Sequence, residues 1–219
     1  LLSLRTDKEL FFMSFRENRR IRVAVFAGLC LFILNQGLFA QNYDKIVRKD
    51  TGKTMTVDNV ISETYTEVNY KKGNTEKKIS TDKVLDIKYY DVPNSYKNAL
   101  AFALNGEYEN AIASFKLAKE DSNVRSWIKS YSLIEMGKVY QQWGLTDKAK
   151  VTDAISTFNE VLTSDPESRF YADILLNLGR SQALAGDLPA ATTTFDRLSQ
   201  EAYDKKLGVI WEARAKIEK

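Results

Sequence analysis

Cysteine and histidine are nearly absent from this chain of 219 residues, which has one cysteine, Cys30, and no histidine. The lack of histidine excludes Ser-His-Asp triads and proton transfer by imidazole. After Cys30 there is no thiol, which excludes disulfides, thiol nucleophiles and the usual zinc sites from the rest of the chain. We therefore predict a protein that is not an enzyme and has no catalytic, cofactor-binding or metal-binding residues. The remaining enzymatic alternative is a glycan hydrolase with paired carboxylates, but no motif singles out a carboxylate.

Long hydrophobic runs are also missing, apart from one run of twelve residues, 23–34. A membrane-spanning helix needs roughly 20 predominantly apolar residues. The run follows a basic stretch that begins near Met13, and it precedes a small residue, Ala40, which is the pattern of a secretory signal peptide. We predict that residues 1–40 are upstream sequence and signal peptide, with cleavage after Ala40. Retention of the run as a membrane anchor is the alternative.

Neither sign of charge is in excess once this segment is removed. The whole chain has 32 basic and 29 acidic side chains, and residues 41–219 have 26 of each. A neutral chain lacks the excess positive charge that binds nucleic acid. We predict a bacterial protein that is exported to the periplasm or cell envelope, or secreted. After cleavage it has neither a nucleic-acid partner nor a stable membrane span.

Residues 41–92 have the alternating pattern of short β-strands. Apolar and polar residues alternate in 44–48, 54–57 and 67–70, and again near 78–79 and 84–89. Turn residues separate these runs, as expected for antiparallel strands. We predict a small β domain of four or five strands, either a sheet or an SH3-like or Sm-like barrel.

Residues 93–219 change to a helical period and repeat one motif three times. In each copy an alanine precedes a phenylalanine by four positions, and a further apolar residue follows three positions later, so that all three lie on one helix face. The copies are Ala111, Phe115 and Ala118; Ala154, Phe158 and Val161; and Ala191, Phe195 and Leu198. Gly106 and Gly186 each precede the alanine by five positions, where a preceding helix would end in a left-handed cap.

This motif resembles that of the tetratricopeptide repeat (TPR) family, whose helix pairs recur every 34 residues. The family's first-helix positions are occupied by Leu133, Met136, Gly137 and Tyr140 in one unit, and by Leu175, Leu178 and Gly179 in the next. The first unit departs from the pattern, with Asn98 and Ala99 in place of Leu-Gly. Gly144 is ten positions before Ala154, which indicates an inserted turn near residues 145–150. We predict an α+β protein whose repeats occupy about 95–120, 123–166 and 170–204, with a terminal helix at 207–219.

The resemblance to the family implies a function. In TPR proteins the first helix of each hairpin lines a concave groove that binds a peptide or partner protein. The non-core positions of these helices are therefore the predicted partner-binding residues: Tyr131, Glu135, Lys138, Gln141, Asp173, Asn177 and Arg180. We predict a non-catalytic scaffold that binds a protein or peptide partner. The alternative is a structural subunit or assembly factor of a cell-envelope complex.

Overall fold

The computed structural model describes residues 42–219, and Tyr43–Lys219 form one compact unit. The predicted signal peptide lies outside the described residues. Within them, six strands precede seven helices. The α+β class with an N-terminal β part is therefore confirmed.

The β part consists of two three-stranded antiparallel sheets, with strand orders β2-β1-β6 and β3-β4-β5. The strands are β1 Asp44–Arg48, β2 Thr54–Val57, β3 Asn59–Glu63, β4 Glu67–Lys72, β5 Thr75–Ser80 and β6 Val84–Lys88, with a short 3-10 helix, Thr81–Lys83, before β6. The prediction of four or five strands was wrong by one strand, β3. A single residue, Asp58, separates β2 from β3, so the sequence has no turn cluster to mark the boundary.

Alternation along the strands directs one set of side chains into the core of the β part. Ile46 on β1 and Val68 on β4 have no exposed surface, and Val57 on β2 is 1% exposed. Strand β5 contrasts with these strands because nearly all of its residues are exposed. Its lysines and glutamate protect an open sheet edge from pairing with other chains.

Each helix packs against the next one along the chain. The helices are α1 Asn94–Leu104, α2 Tyr108–Glu120, α3 Ser126–Trp143, α4 Ala149–Ser164, α5 Tyr171–Ala185, α6 Leu188–Asp204 and α7 Val209–Glu218. The alanines and phenylalanines of the repeated motif lie on α2, α4 and α6, and all of them are buried. The predicted core face of these three helices is thus confirmed.

Glycines allow the close contacts within the helical part. A Cβ atom on Gly137 would lie less than 3.0 Å from ring atoms of Phe158, and one on Gly179 would lie equally close to Phe195. Only glycine lets these helix pairs approach so closely. Gly106 and Gly186 have φ angles of 78° and 89°, which confirms the predicted left-handed caps.

The turn between α3 and α4 differs from the other two hairpin turns. Gly144 has a φ of −58°, so it continues the right-handed conformation of α3 and is not a left-handed cap. Residues 144–148 connect the two helices. The extra residues that the sequence indicated near 145–150 therefore separate Gly144 from the start of α4.

Candidate binding surfaces

The β part contacts the helices through an ion pair at the start of α3 between a buried carboxylate, Asp44, and a partly exposed guanidinium, Arg125. The Arg125 guanidinium donates to both carboxylate oxygens of Asp44, from Nη1 at 2.8 Å and from Nη2 at 2.9 Å, and also to Asp91. Asp44 has no exposed surface, and it also accepts the backbone N–H groups of Val60 and Tyr90. Burial alone would lower the pKa of Arg125, but its bonds to Asp44 and Asp91 outweigh burial and raise it. Arg125 is therefore charged at any physiological pH.

A second ion pair, this one buried, joins the end of β3 to the start of α5. Glu63 accepts the Arg169 Nε–H at 2.8 Å, and the two side chains are only 10% and 7% exposed. The Glu63 carboxylate also accepts the hydroxyls of Tyr89 at 2.6 Å and Tyr131 at 2.9 Å. Burial raises the pKa of both tyrosines well above the usual range, so both phenols remain protonated donors. We call the contact made by Asp44, Glu63, Arg125 and Arg169 the seam.

A cleft of about 710 Å³ lies beside the seam, between β3 and the first half of α3. Its aromatic wall is Trp127, which stacks on Tyr89 with ring centroids 4.0 Å apart. Its charged rim is paired in part, since Lys119 lies 3.2 Å from Glu160, whereas Lys129 has no ion-pair partner among residues 42–219. The cleft therefore presents nearly balanced charge around an aromatic platform.

The seven residues predicted to bind a partner lie on α3 and α5, and the structure brings most of them into contact with one another. Lys138 lies 3.0 Å from Glu135 and 3.6 Å from Asp173, so one ammonium group links two carboxylates on neighbouring helices. Burial lowers the pKa of Lys138, but Glu135 and Asp173 outweigh it and raise the pKa. Tyr131 lies apart from this group, because its hydroxyl donates to the Glu63 carboxylate in the seam.

The amide and guanidinium groups of this set also have partners within the chain. Gln141 donates to the Asn177 carbonyl and to the Ser181 hydroxyl, each at 3.0 Å. Asn177 is only 9% exposed, and Arg180 donates to the Glu218 carboxylate on α7. These contacts hold α3, α5 and α7 in register and fix the positions of the side chains.

Sequence reasoning missed the four charged residues of the seam. Asp44 and Arg125 are 81 positions apart in the chain, and Glu63 and Arg169 are 106 positions apart. Each residue occurs in a segment of ordinary polar composition, without a motif. Only a signal of contact between distant positions would have identified these pairs.

Residues 42–219 contain no group of three or more acidic, histidine or cysteine side chains that could hold a metal ion. No helix among the same residues is both long enough and apolar enough to cross a membrane.

Comparison with protein-family models and with curated proteins finds no match.

Proposed function

We propose that this chain is an exported, non-catalytic scaffold in which an SH3-like barrel precedes three TPR-like helical hairpins and a terminal helix. The first helices of the three hairpins, α1, α3 and α5, line a concave face that binds a protein or peptide partner. Export to the periplasm or cell envelope rests on the basic and apolar pattern of residues 13–40.

The observation that carries this proposal is a contact made in the same way in successive hairpins. Gly137 on α3 faces Phe158 on α4, and Gly179 on α5 faces Phe195 on α6. In the first hairpin Ala99 takes the place of glycine and, like Phe115, has no exposed surface. Repetition of one helix–helix contact is what a repeat stack requires, because each unit buries its apolar face against its neighbour.

Strand geometry supports the barrel. Strands β2 and β3 belong to different sheets although only Asp58 lies between them, so this stretch bends from one sheet into the other. The 3-10 helix Thr81–Lys83 then leads into β6, which returns to pair with β1. A stretch of chain that bends from one sheet into the other is typical of small barrels made of two packed sheets.

The first helices suit partner binding because their polar groups are fixed before a partner arrives. Glu135, Lys138 and Asp173 form a chain of charges across α3 and α5, and Arg180 extends it to α7. Side chains that are already ordered lose less conformational entropy on binding. The charges would set specificity and register, while apolar contacts supply most of the affinity.

A cross-linked pull-down from envelope extract of the source organism tests this proposal, with residues 42–219 as bait. The test variant, Lys138→Ala with Arg180→Ala, removes two charges from first helices. The matched control, Lys150→Ala with Arg197→Ala, removes two charges from the second helices α4 and α6, where they also form ion pairs.

We expect a defined partner to bind the unchanged bait and the control but not the test variant. Equal retention by both variants would refute the assignment to the first helices. Recovery of no partner by any bait would refute the scaffold proposal. Circular dichroism of each bait establishes that the variants are folded.

One observation favours the second candidate function, a permanent structural subunit or assembly factor. Helix α7 exposes three large apolar side chains, with Val209 at 84%, Ile217 at 81% and Ile210 at 55%. An exposed apolar stripe is more typical of stable assemblies than of transient partners. A complex that survives high salt and detergent without cross-linking would support this function, and a rapidly dissociating complex would contradict it.

A further inference from the structure

A second concave surface lies between the β part and the loop that connects α6 to α7. This groove has a volume of about 680 Å³, and its β side is formed by the turns around Thr66 and Thr81. Its helical side is formed by the start of α5 and by residues 205–211. None of the seven residues predicted to bind a partner lines it.

The groove combines apolar walls with exposed cations. Tyr65, Phe170 and Trp211 contribute aromatic rings, and Ile210 is 55% exposed beside them. Three lysines, Lys49, Lys205 and Lys206, line it, so we call this surface the lysine groove. Arg169 also lines it, but its guanidinium is buried and paired with Glu63. Asp82 is the one acidic residue among the described residues that line it.

Two of the cations that line the groove are not neutralised within the described part of the chain. Among residues 42–219, Lys49 and Lys206 have no carboxylate within 4.0 Å, whereas Lys205 lies 3.8 Å from Glu201. The Lys205 ammonium also lies 5.0 Å from the ring centroids of both Tyr65 and Tyr171. This arrangement places one cation against the aromatic wall and leaves two others available to a ligand.

The backbone at Lys206 is unusual. Its φ angle of 56° is in the left-handed region, and it is the one non-glycine residue of the described chain with a positive φ. Glycine is the usual residue at such a position after a helix, because a side chain there is strained. Non-glycine residues in strained backbone conformations cluster at ligand-binding and active sites.

We propose that the lysine groove binds an acidic segment of a partner protein, one that carries an aromatic or aliphatic side chain among its carboxylates. The carboxylates would pair with Lys49 and Lys206, and the apolar side chain would lie against Phe170, Trp211 and Ile210. Charge complementarity selects the acidic segment, and the apolar wall supplies an anchor. This inference goes beyond the proposed function, because it concerns a different surface from the first-helix face.

A phage-displayed library of random short peptides tests the inference, with residues 42–219 immobilised. Binding of the selected peptides is then measured against three variants. Lys49→Glu with Lys206→Glu reverses the charge of the groove. Lys72→Glu with Lys77→Glu reverses two exposed lysines of the β4–β5 hairpin, and Lys138→Ala with Arg180→Ala alters the first-helix face.

We expect the selected peptides to be acidic with an aromatic or aliphatic residue. Their affinity should fall by about tenfold or more with the groove variant, should be unchanged with the hairpin variant, and should weaken as salt is added. Binding should also change the fluorescence of the unchanged protein, and Trp211→Phe should remove most of that change.

Three results would overturn the inference. The first is selection of no peptide, and the second is selection of peptides without acidic residues. The third is equal binding to the groove variant and the unchanged protein. Loss of binding with Lys138→Ala and Arg180→Ala instead would place the ligand on the first-helix face, which would refute this inference but support the proposed function.

Discussion

Replacement of Arg169 by methionine removes the guanidinium that contacts the Glu63 carboxylate in the seam. Both side chains are at least nine-tenths buried, so the remaining carboxylate cannot regain full hydration. Loss of one partner from a buried ion pair costs about 3–5 kcal/mol. The hydroxyls of Tyr89 and Tyr131 still donate to Glu63, so we expect the lower end, about 3 kcal/mol.

Urea unfolding followed by circular dichroism at neutral pH measures this loss. For a chain of this size, a loss of about 3 kcal/mol corresponds to a decrease in Tm of about 6–12 °C. The matched control is Arg197→Met, because Arg197 also bonds a glutamate, Glu201, but its side chain is 48% exposed. Loss of that exposed pair should cost less than about 1 kcal/mol.

The double variant Glu63→Gln with Arg169→Met separates charge burial from loss of packing. The two phenols donate to different oxygens of Glu63, so glutamine keeps an acceptor for one phenol and carries no charge. We expect the double variant to recover at least about 2 kcal/mol relative to Arg169→Met. If the single variant loses less than about 1 kcal/mol, or if the double variant recovers nothing, Glu63 and Arg169 are not a stabilising buried charge pair.

Two further predictions concern the helix contacts and the tyrosines. Gly179→Ala places a Cβ atom against the Phe195 ring and should lower the free energy of unfolding by about 1–3 kcal/mol, measured by urea unfolding. Addition of Phe195→Leu should recover part of that stability. Equal stability of Gly179→Ala and the unchanged chain would contradict the close contact between Gly179 and Phe195. Burial raises the pKa of Tyr89 and Tyr131, and it raises that of Tyr171 to about 12. Because the unfolded chain loses phenolic protons near pH 10 while the folded chain keeps them, stability is full below that pH and falls above it. The free energy of unfolding falls by about 1.4 kcal/mol per pH unit for each such tyrosine. Tyr131→Phe should make this decline shallower. An identical pH profile for Tyr131→Phe and the unchanged chain would refute the raised pKa of Tyr131 as a cause of the decline.

The sequence predicted what depends on local pattern. A helical period identified the buried face of α2, α4 and α6, because Ala, Phe and the next apolar residue recur at spacings that only one helix face satisfies. Gly106 and Gly186 were predictable as caps because their offset from the motif placed them at a helix end. Gly144 shows the limit of this reasoning, since the added residues after it let the chain turn without a left-handed cap.

Other features were beyond the reach of local pattern. Strand β3 follows β2 after one residue, and a bend without a turn cluster has no compositional signature. The seam joins residues separated by 81 and 106 positions, and each of them resembles an ordinary surface charge in its own segment. Repeat register did place the candidate site residues of α3 and α5 side by side. Their bonds to one another depend on side-chain geometry that spacing does not determine.

In the proposed function, the first helices form the partner-binding face. Gln142 is exposed one turn beyond Lys138 on the same face of α3, whereas Asn159 is exposed on the second helix α4. A photo-crosslinking amino acid at each position, in the full chain expressed in its source cells, compares the two faces directly. We expect a discrete adduct with another protein from position 142 and none from position 159. An adduct of equal yield from both positions, or from position 159 alone, would contradict it.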